Sequence, residues 1–131
     1  MRNQTLNKEV ISRMENRIQS FINQRENLNQ KVMDTHHLGI KRFFNLDTAA
    51  YAEGTLSVKT KELLGLTASL VLRCNDCIDY HIIQCIDAGF RDDELFEALN
   101  VGLVVGGSII IPHLRHAVES IELYRQIQAQ A

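Results

Sequence analysis

The sequence holds no tryptophan, one proline and only three cysteines. With Pro112 as its single proline and almost no stretch that alternates apolar and polar residues, it lacks the marks of a sheet protein. An odd cysteine count cannot be paired off within one chain, and at 131 residues the small disulfide-stapled class is excluded. Charge of one sign is also missing. A formal net charge of −2 gives no reason to expect a nucleic acid or an anionic membrane as partner. The opening "MRNQTLNKEV" has no apolar segment of the secretory kind. The longest apolar run, "VGLVVGGSIII" at 101–111, is too short for a bilayer and reads as a core helix. These absences point to a reducing, cytoplasmic setting, where a close cysteine pair is more often catalytic or metal-binding than structural.

What is present is helical. Apolar residues recur at three-to-four spacing through most of the chain, which predicts a single all-α domain over 1–131 with about six helices. A first helix is expected over about 7–30, with Val10, Met14, Ile18, Phe21, Ile22 and Leu28 near one stripe and a subunit neighbour over the region 1–50. A second is expected over about 31–45. "NLDTAAYAEGTLS" then reads as the main loop, broken at Gly54. Ser57 offers an N-cap for a helix of about 58–73, and "CNDC" interrupts it, with Asn75 or Asp76 as the capping residue of the next. That helix should end at Gly89. Asp92, Asp93 and Glu94 suit the first turn of the following one. Gly102 and Gly106 allow close helix contact, Gly106-Gly107 a tight junction, and Ser108 to Pro112 opens a last helix running to about 128.

The chemistry concentrates in "RCNDCIDYH", residues 73–81. Cys74 and Cys77 lie about one turn apart, close enough for a disulfide if the turn permits. If the helix starts at 75 or 76, Cys77 sits in its first turn, where backbone N–H groups and the dipole favour a thiolate. His81 follows by four residues on the same face and is able to take the thiol proton. Glu62, in the preceding helix, comes level with residues 82–86 if the two helices fold back on each other. There it would orient the imidazole as the third member of a triad does. A zinc clip is the competing reading. However, Cys77, His81 and Cys85 climb one helix in four-residue steps, so the outer two stand roughly 12 Å apart and cannot share one ion.

Glu62, Cys74, Cys77, His81 and Gly89 together form the pattern E-x11-C-x2-C-x3-H-x7-G. With "KTKELLGLTASLVLRCNDCIDYHIIQCIDAGFRDDELFEAL" around it and "VVGGSIIIPHLRHA" downstream, the sequence resembles the alkylhydroperoxidase D / carboxymuconolactone decarboxylase family, most sharply over about 57–118. The resemblance implies an all-helical fold assembling as a homo-trimer or homo-hexamer, with active sites near subunit contacts. It implies a thiol peroxidase needing no cofactor or metal: Cys77 attacks a hydroperoxide, Cys74 resolves to the disulfide, Glu62 and His81 relay protons, and an external dithiol resets the pair. In one respect the chain departs from the family's best-studied peroxidases, which carry a histidine immediately before the second cysteine; here it is Asp76, an acid that disfavours thiolate unless it caps the helix.

Three other readings stand beside this one. An enzyme acting on a small lactone or carboxylic acid would use His81 and Glu62 without the cysteines. A non-enzymatic, redox-sensitive oligomeric subunit would use the cysteines without turnover. Inert burial is the third, and for Cys85 it is the preferred one, given Ile82, Ile86 and Phe90 around it. His113 and His116 are expected in packing or subunit contacts, and His36 and His37 are given no role.

Overall fold

The computed structural model describes residues 16–131. Among these there is no strand: six α-helices and one 3-10 turn account for the fold, as the apolar periodicity predicts. They are α1 (Arg17–Asp34), α2 (Leu38–Tyr51), α3 (Val58–Val71), α4 (Asn75–Asp87), α5 (Asp92–Gly106) and α6 (Ile111–Ala129), with the 3-10 turn Ser108–Ile110 leading into the last. None is long and apolar enough to cross a membrane.

The caps explain the boundaries. Asn16 opens α1 by accepting from the backbone N–H groups of Ile18 (2.9 Å) and Gln19 (3.2 Å). Expectations at Val10 and Met14 lie outside the described residues. The break between the first two helices is not where the sequence suggested. Residues 31–34 still belong to α1, His36 stops it with a left-handed backbone (φ 55°), and His37 caps α2 through Nδ1. Helix α2 then continues to Tyr51 through half of the stretch read as a loop, leaving 52–57 as the connection. Ser57 caps α3 as expected, its Oγ accepting from Thr60 N at 3.0 Å. Gly89 takes the left-handed position (φ 97°) that closes α4. At the head of α5, Glu94 reaches back to the N–H of Arg91 at 3.0 Å.

Helices α3, α4, α5 and α6 surround one core, in which Leu66, Leu70, Ile78, Ile82, Leu95 and Ile121 are buried. Gly102 lets α5 approach α3, since a Cβ there would meet a Leu70 methyl at 3.0 Å. Gly106 is crowded instead by Ile110 across the junction, and Gly107 (φ 78°) makes the turn. Helix α1 lies on α6, with Ile18 fully buried, but Leu28 remains exposed. Helix α2 buries almost nothing: Leu38, Ile40, Phe43, Phe44 and Leu46 all face outward, and only Tyr51 turns inward.

A buried polar cluster ties α1 to α4 and α6. Asp79 accepts from Arg17 Nη1 and contacts His116 Nε2, both at 2.9 Å, and also contacts Ser120 Oγ. Arg17 donates further to Ser120 at 2.8 Å. His116 therefore packs within the chain, as anticipated in kind.

Candidate active site at the start of helix four

The site is built by the reversal between α3 and α4. Arg73 adopts a left-handed backbone (φ 60°), a conformation uncommon outside glycine. The reversal is closed by two bonds, Arg73 N to Leu70 O (3.0 Å) and Cys74 N to Ser69 O (3.2 Å). Cys74 then extends (φ −102°, ψ 98°) and is itself the N-cap of α4: its sulfur accepts from Cys77 N at 3.3 Å. The expectation that Asn75 or Asp76 caps this helix is thus corrected. Asp76 is exposed in the first turn, and the Asn75 carboxamide is engaged by His113 Nδ1 at 2.8 Å. A sulfur suits the cap here because the left-handed turn delivers the Cys74 side chain over a free amide of the helix's first turn, that of Cys77.

Cys74 and Cys77 are joined in a disulfide, with Cα atoms 5.2 Å apart. Cys77 is exposed and Cys74 half-buried. The two sulfurs therefore differ: one is open to an incoming reagent, and the other sits on a helix-end amide that stabilises negative charge. Cys85, two turns further along α4, is free and fully buried. Burial, aided by the charge of Glu62, pushes its thiol up to about 12.

One turn beyond Cys77, His81 lies buried with Nδ1 only 2.8 Å from Oε2 of Glu62, which is buried too. The fold-back of α3 on α4 thus brings Glu62 into direct contact with the imidazole, one step closer than spacing alone suggested. A carboxylate there accepts Nδ1–H, and in the neutral imidazole Nε2 then carries the lone pair able to accept a proton. The hydroxyl of Tyr51, the last residue of α2, stands 3.3 Å from that nitrogen. Burial first, and the Glu62 charge second, push the hydroxyls of both Tyr51 and Tyr80 up. The Tyr80 ring meets His81 edge-on at 5.0 Å, and the Arg25 guanidinium covers the same ring at 4.2 Å.

Cys77 and His81 share a cavity of about 440 Å³ between α1, α2 and α4. Phe21, Leu28 and Tyr80 give it apolar walls, and Arg25, Asp47 and Asp76 give it charge. All four residues singled out from the sequence, Glu62, Cys74, Cys77 and His81, thus meet at one place. Sequence reasoning missed Tyr51, taken for loop, and Gly65. The glycine was the available signal, since it interrupts an otherwise good helix-forming run. A Cβ on it would fall 2.6 Å from His81 Cε1 and 2.7 Å from the Tyr51 hydroxyl.

A family model for the carboxymuconolactone decarboxylase family matches residues 40–120, which takes in the whole reversal together with Tyr51, Glu62, Cys74, Cys77 and His81. The chain belongs to the carboxymuconolactone decarboxylase family. Two crystal structures of a Thermotoga maritima protein resemble it over most of its length. In the first, identity is 54% over 86% of this chain and 99% of that one, with a TM-score of 0.82. In the second it is 55% over 85% and 94%, with a TM-score of 0.80; that one is described as a family protein with a suggested involvement in antioxidative response. A Legionella pneumophila family member in its apo form is more distant, at 28% identity over 83% of this chain and 92% of that one, TM-score 0.63. Among curated proteins no match was found.

Proposed function

We propose that this family member is a thiol-dependent peroxidase that reduces hydroperoxides through the Cys74–Cys77 pair. The observation that carries the reading is the disulfide itself, placed at a helix start with its outer sulfur in a cavity that also holds a carboxylate-paired imidazole. The suggested antioxidative involvement of the Thermotoga maritima relative agrees with it.

In the reduced protein, Nε2 of His81 takes the proton of Cys77 while Glu62 holds Nδ1–H. The thiolate attacks the distal oxygen of ROOH and breaks the O–O bond, and the leaving RO⁻ takes the proton back to depart as ROH. Cys77 is then a sulfenic acid. Cys74 displaces its hydroxyl as water and closes the disulfide. An external dithiol restores the pair by attacking the exposed Cys77 sulfur. Cys74 leaves as a thiolate that the Cys77 N–H already faces, and the donor ends as its own disulfide. The exposed apolar side chains of α2 fit assembly as a homo-trimer or homo-hexamer, and the free thiols this cycle needs fit a reducing cytoplasm.

The test is a thiol titration of reduced protein before and after stoichiometric hydroperoxide. Two thiols per chain should disappear, none in C77S. In C74S a sulfenic acid should accumulate on Cys77 and be trapped by a 1,3-dione. Thiol loss that ignores Cys77→Ser overturns the reading. A lactone-directed activity that survives both substitutions would replace it.

A further inference from the structure

The relay described so far has an occupied end. Its accepting nitrogen, Nε2 of His81, faces the hydroxyl of Tyr51 at 3.3 Å, and Tyr51 belongs to a helix whose preceding side chains are all exposed. Tyr51 alone turns in, and α3 makes room for it. Gly65 lies mid-helix, an unfavourable place for glycine, yet any Cβ there would meet the Tyr51 hydroxyl at 2.7 Å and the His81 ring at 2.6 and 2.9 Å. Two elements are thus shaped so that one hydroxyl reaches one imidazole.

We infer that Tyr51 is a positioning residue of the relay: its hydroxyl donates to Nε2 of His81 in the disulfide state and thereby sets how readily that imidazole accepts the proton of Cys77. The inference rests on the thiol-peroxidase reading. The groups around the ring fix the direction of the bond. Glu62 on α3 accepts Nδ1–H, so in the neutral ring Nε2 carries the lone pair. Tyr51 keeps its proton, because burial and the charges of Glu62 and Asp47 oppose its loss. Tyr80 meets the ring edge-on, beneath Arg25 of α1, while Asp47, Asp76 and Cys77 stand on the cavity side. A phenol donating to a neutral imidazole therefore satisfies every partner. When Cys77 surrenders its proton, Nε2 becomes a donor and the hydroxyl must turn away. The new Nε2–H points to the Cys77 thiolate, which binds it more strongly than a phenol oxygen does, so the transfer costs the bond from Tyr51. Tyr51 thus holds the relay back until pH or a bound substrate favours transfer.

Tyr51→Phe removes the hydroxyl and keeps the ring, whose centroid lies 5.4 Å from that of His81. In the reduced protein, the pH midpoint for alkylation of Cys77 by iodoacetamide, followed on its peptide, should move down by about half to one unit, with alkylation near pH 6 about three- to tenfold faster. In the oxidised protein, the 15N resonance of Nε2 should shift as its hydrogen bond is lost. An unchanged or raised midpoint in Y51F, or an unmoved resonance, overturns the assignment. H81Q separates the two levels of the argument. A Cys77 profile indifferent to H81Q defeats the relay itself, whereas a raised midpoint in H81Q without a lowered one in Y51F defeats only the role of Tyr51.

Discussion

Glu62 and His81 stand on successive helices, nineteen residues apart, and close to 2.8 Å with both side chains buried. The contact exists because the left-handed turn at Arg73 folds α4 back along α3. A carboxylate so placed both orients the ring and offsets the positive charge it takes up. Glu62→Gln keeps an acceptor of the same shape and loses the charge. The second-order rate of peroxide-driven thiol loss should fall about ten- to a hundredfold, with the far-ultraviolet spectrum unchanged. Stopped-flow thiol kinetics on the two proteins would decide it.

Gly65→Ala sets helix propensity against the site. The substitution should gain about 1 kcal/mol in an unconstrained helix. Here the new methyl would lie 2.6 Å from the imidazole and 2.7 Å from the Tyr51 hydroxyl, so both must move. Thermal unfolding should show no gain in stability, and thiol-loss kinetics should slow at least about tenfold. A variant that is more stable and fully active would show that the ring needs no such clearance.

Asp79 is the anchor on the opposite side of α4. Its carboxylate is held by Arg17, His116 and Ser120 and has almost no access to solvent. Asp79→Ala strands those partners, and urea unfolding should report a loss of about 3 kcal/mol. The same experiment on His113→Ala, which frees only the Asn75 carboxamide, should report about 1 kcal/mol.

Cys85 should be silent toward thiol reagents at pH 8 in the folded protein, because its thiol is pushed up to about 12 by burial. The sign for stability follows. The unfolded thiol ionises near its ordinary value of 9.0, the folded one only near 12. Its contribution is complete below pH 9 and is lost progressively as pH rises toward 12. Cys85→Ala should flatten that part of the alkaline stability profile, measured on reduced protein by denaturant titration between pH 8 and 11.

The parts of this fold that were legible in sequence are those that bury a face. Helices α3, α4 and α5 carry core residues at regular spacing, and Ser57 and Gly89 mark their ends with the residue types the geometry requires. The grouping of Glu62, Cys74, Cys77 and His81 was legible through the family pattern E-x11-C-x2-C-x3-H-x7-G, whereas spacing alone brought Glu62 near His81 only on condition that the two helices fold back on each other. Helix α2 was misplaced because it has almost no buried face to impose a pattern, and "NLDTAAYAEGTLS" resembles a loop in composition. Tyr51 was lost with it. The cap at Cys74 was hidden for a different reason. Capping preferences favour oxygen side chains, and nothing about an arginine at 73 announces a left-handed backbone. His37 as a cap was missed on the same grounds.

The cross-link between Cys74 and Cys77 spans three positions, within one turn of chain. A ring that small removes little freedom from an unfolded polypeptide: by loop-closure reasoning about 2 kcal/mol, against nearly 5 for a loop of a hundred residues. The clasp is therefore no girder. It sits on top of a scaffold whose cohesion comes from the hydrocarbon interior and the Asp79 knot. Under the proposed cycle, oxidation and reset would leave the molecule around it assembled.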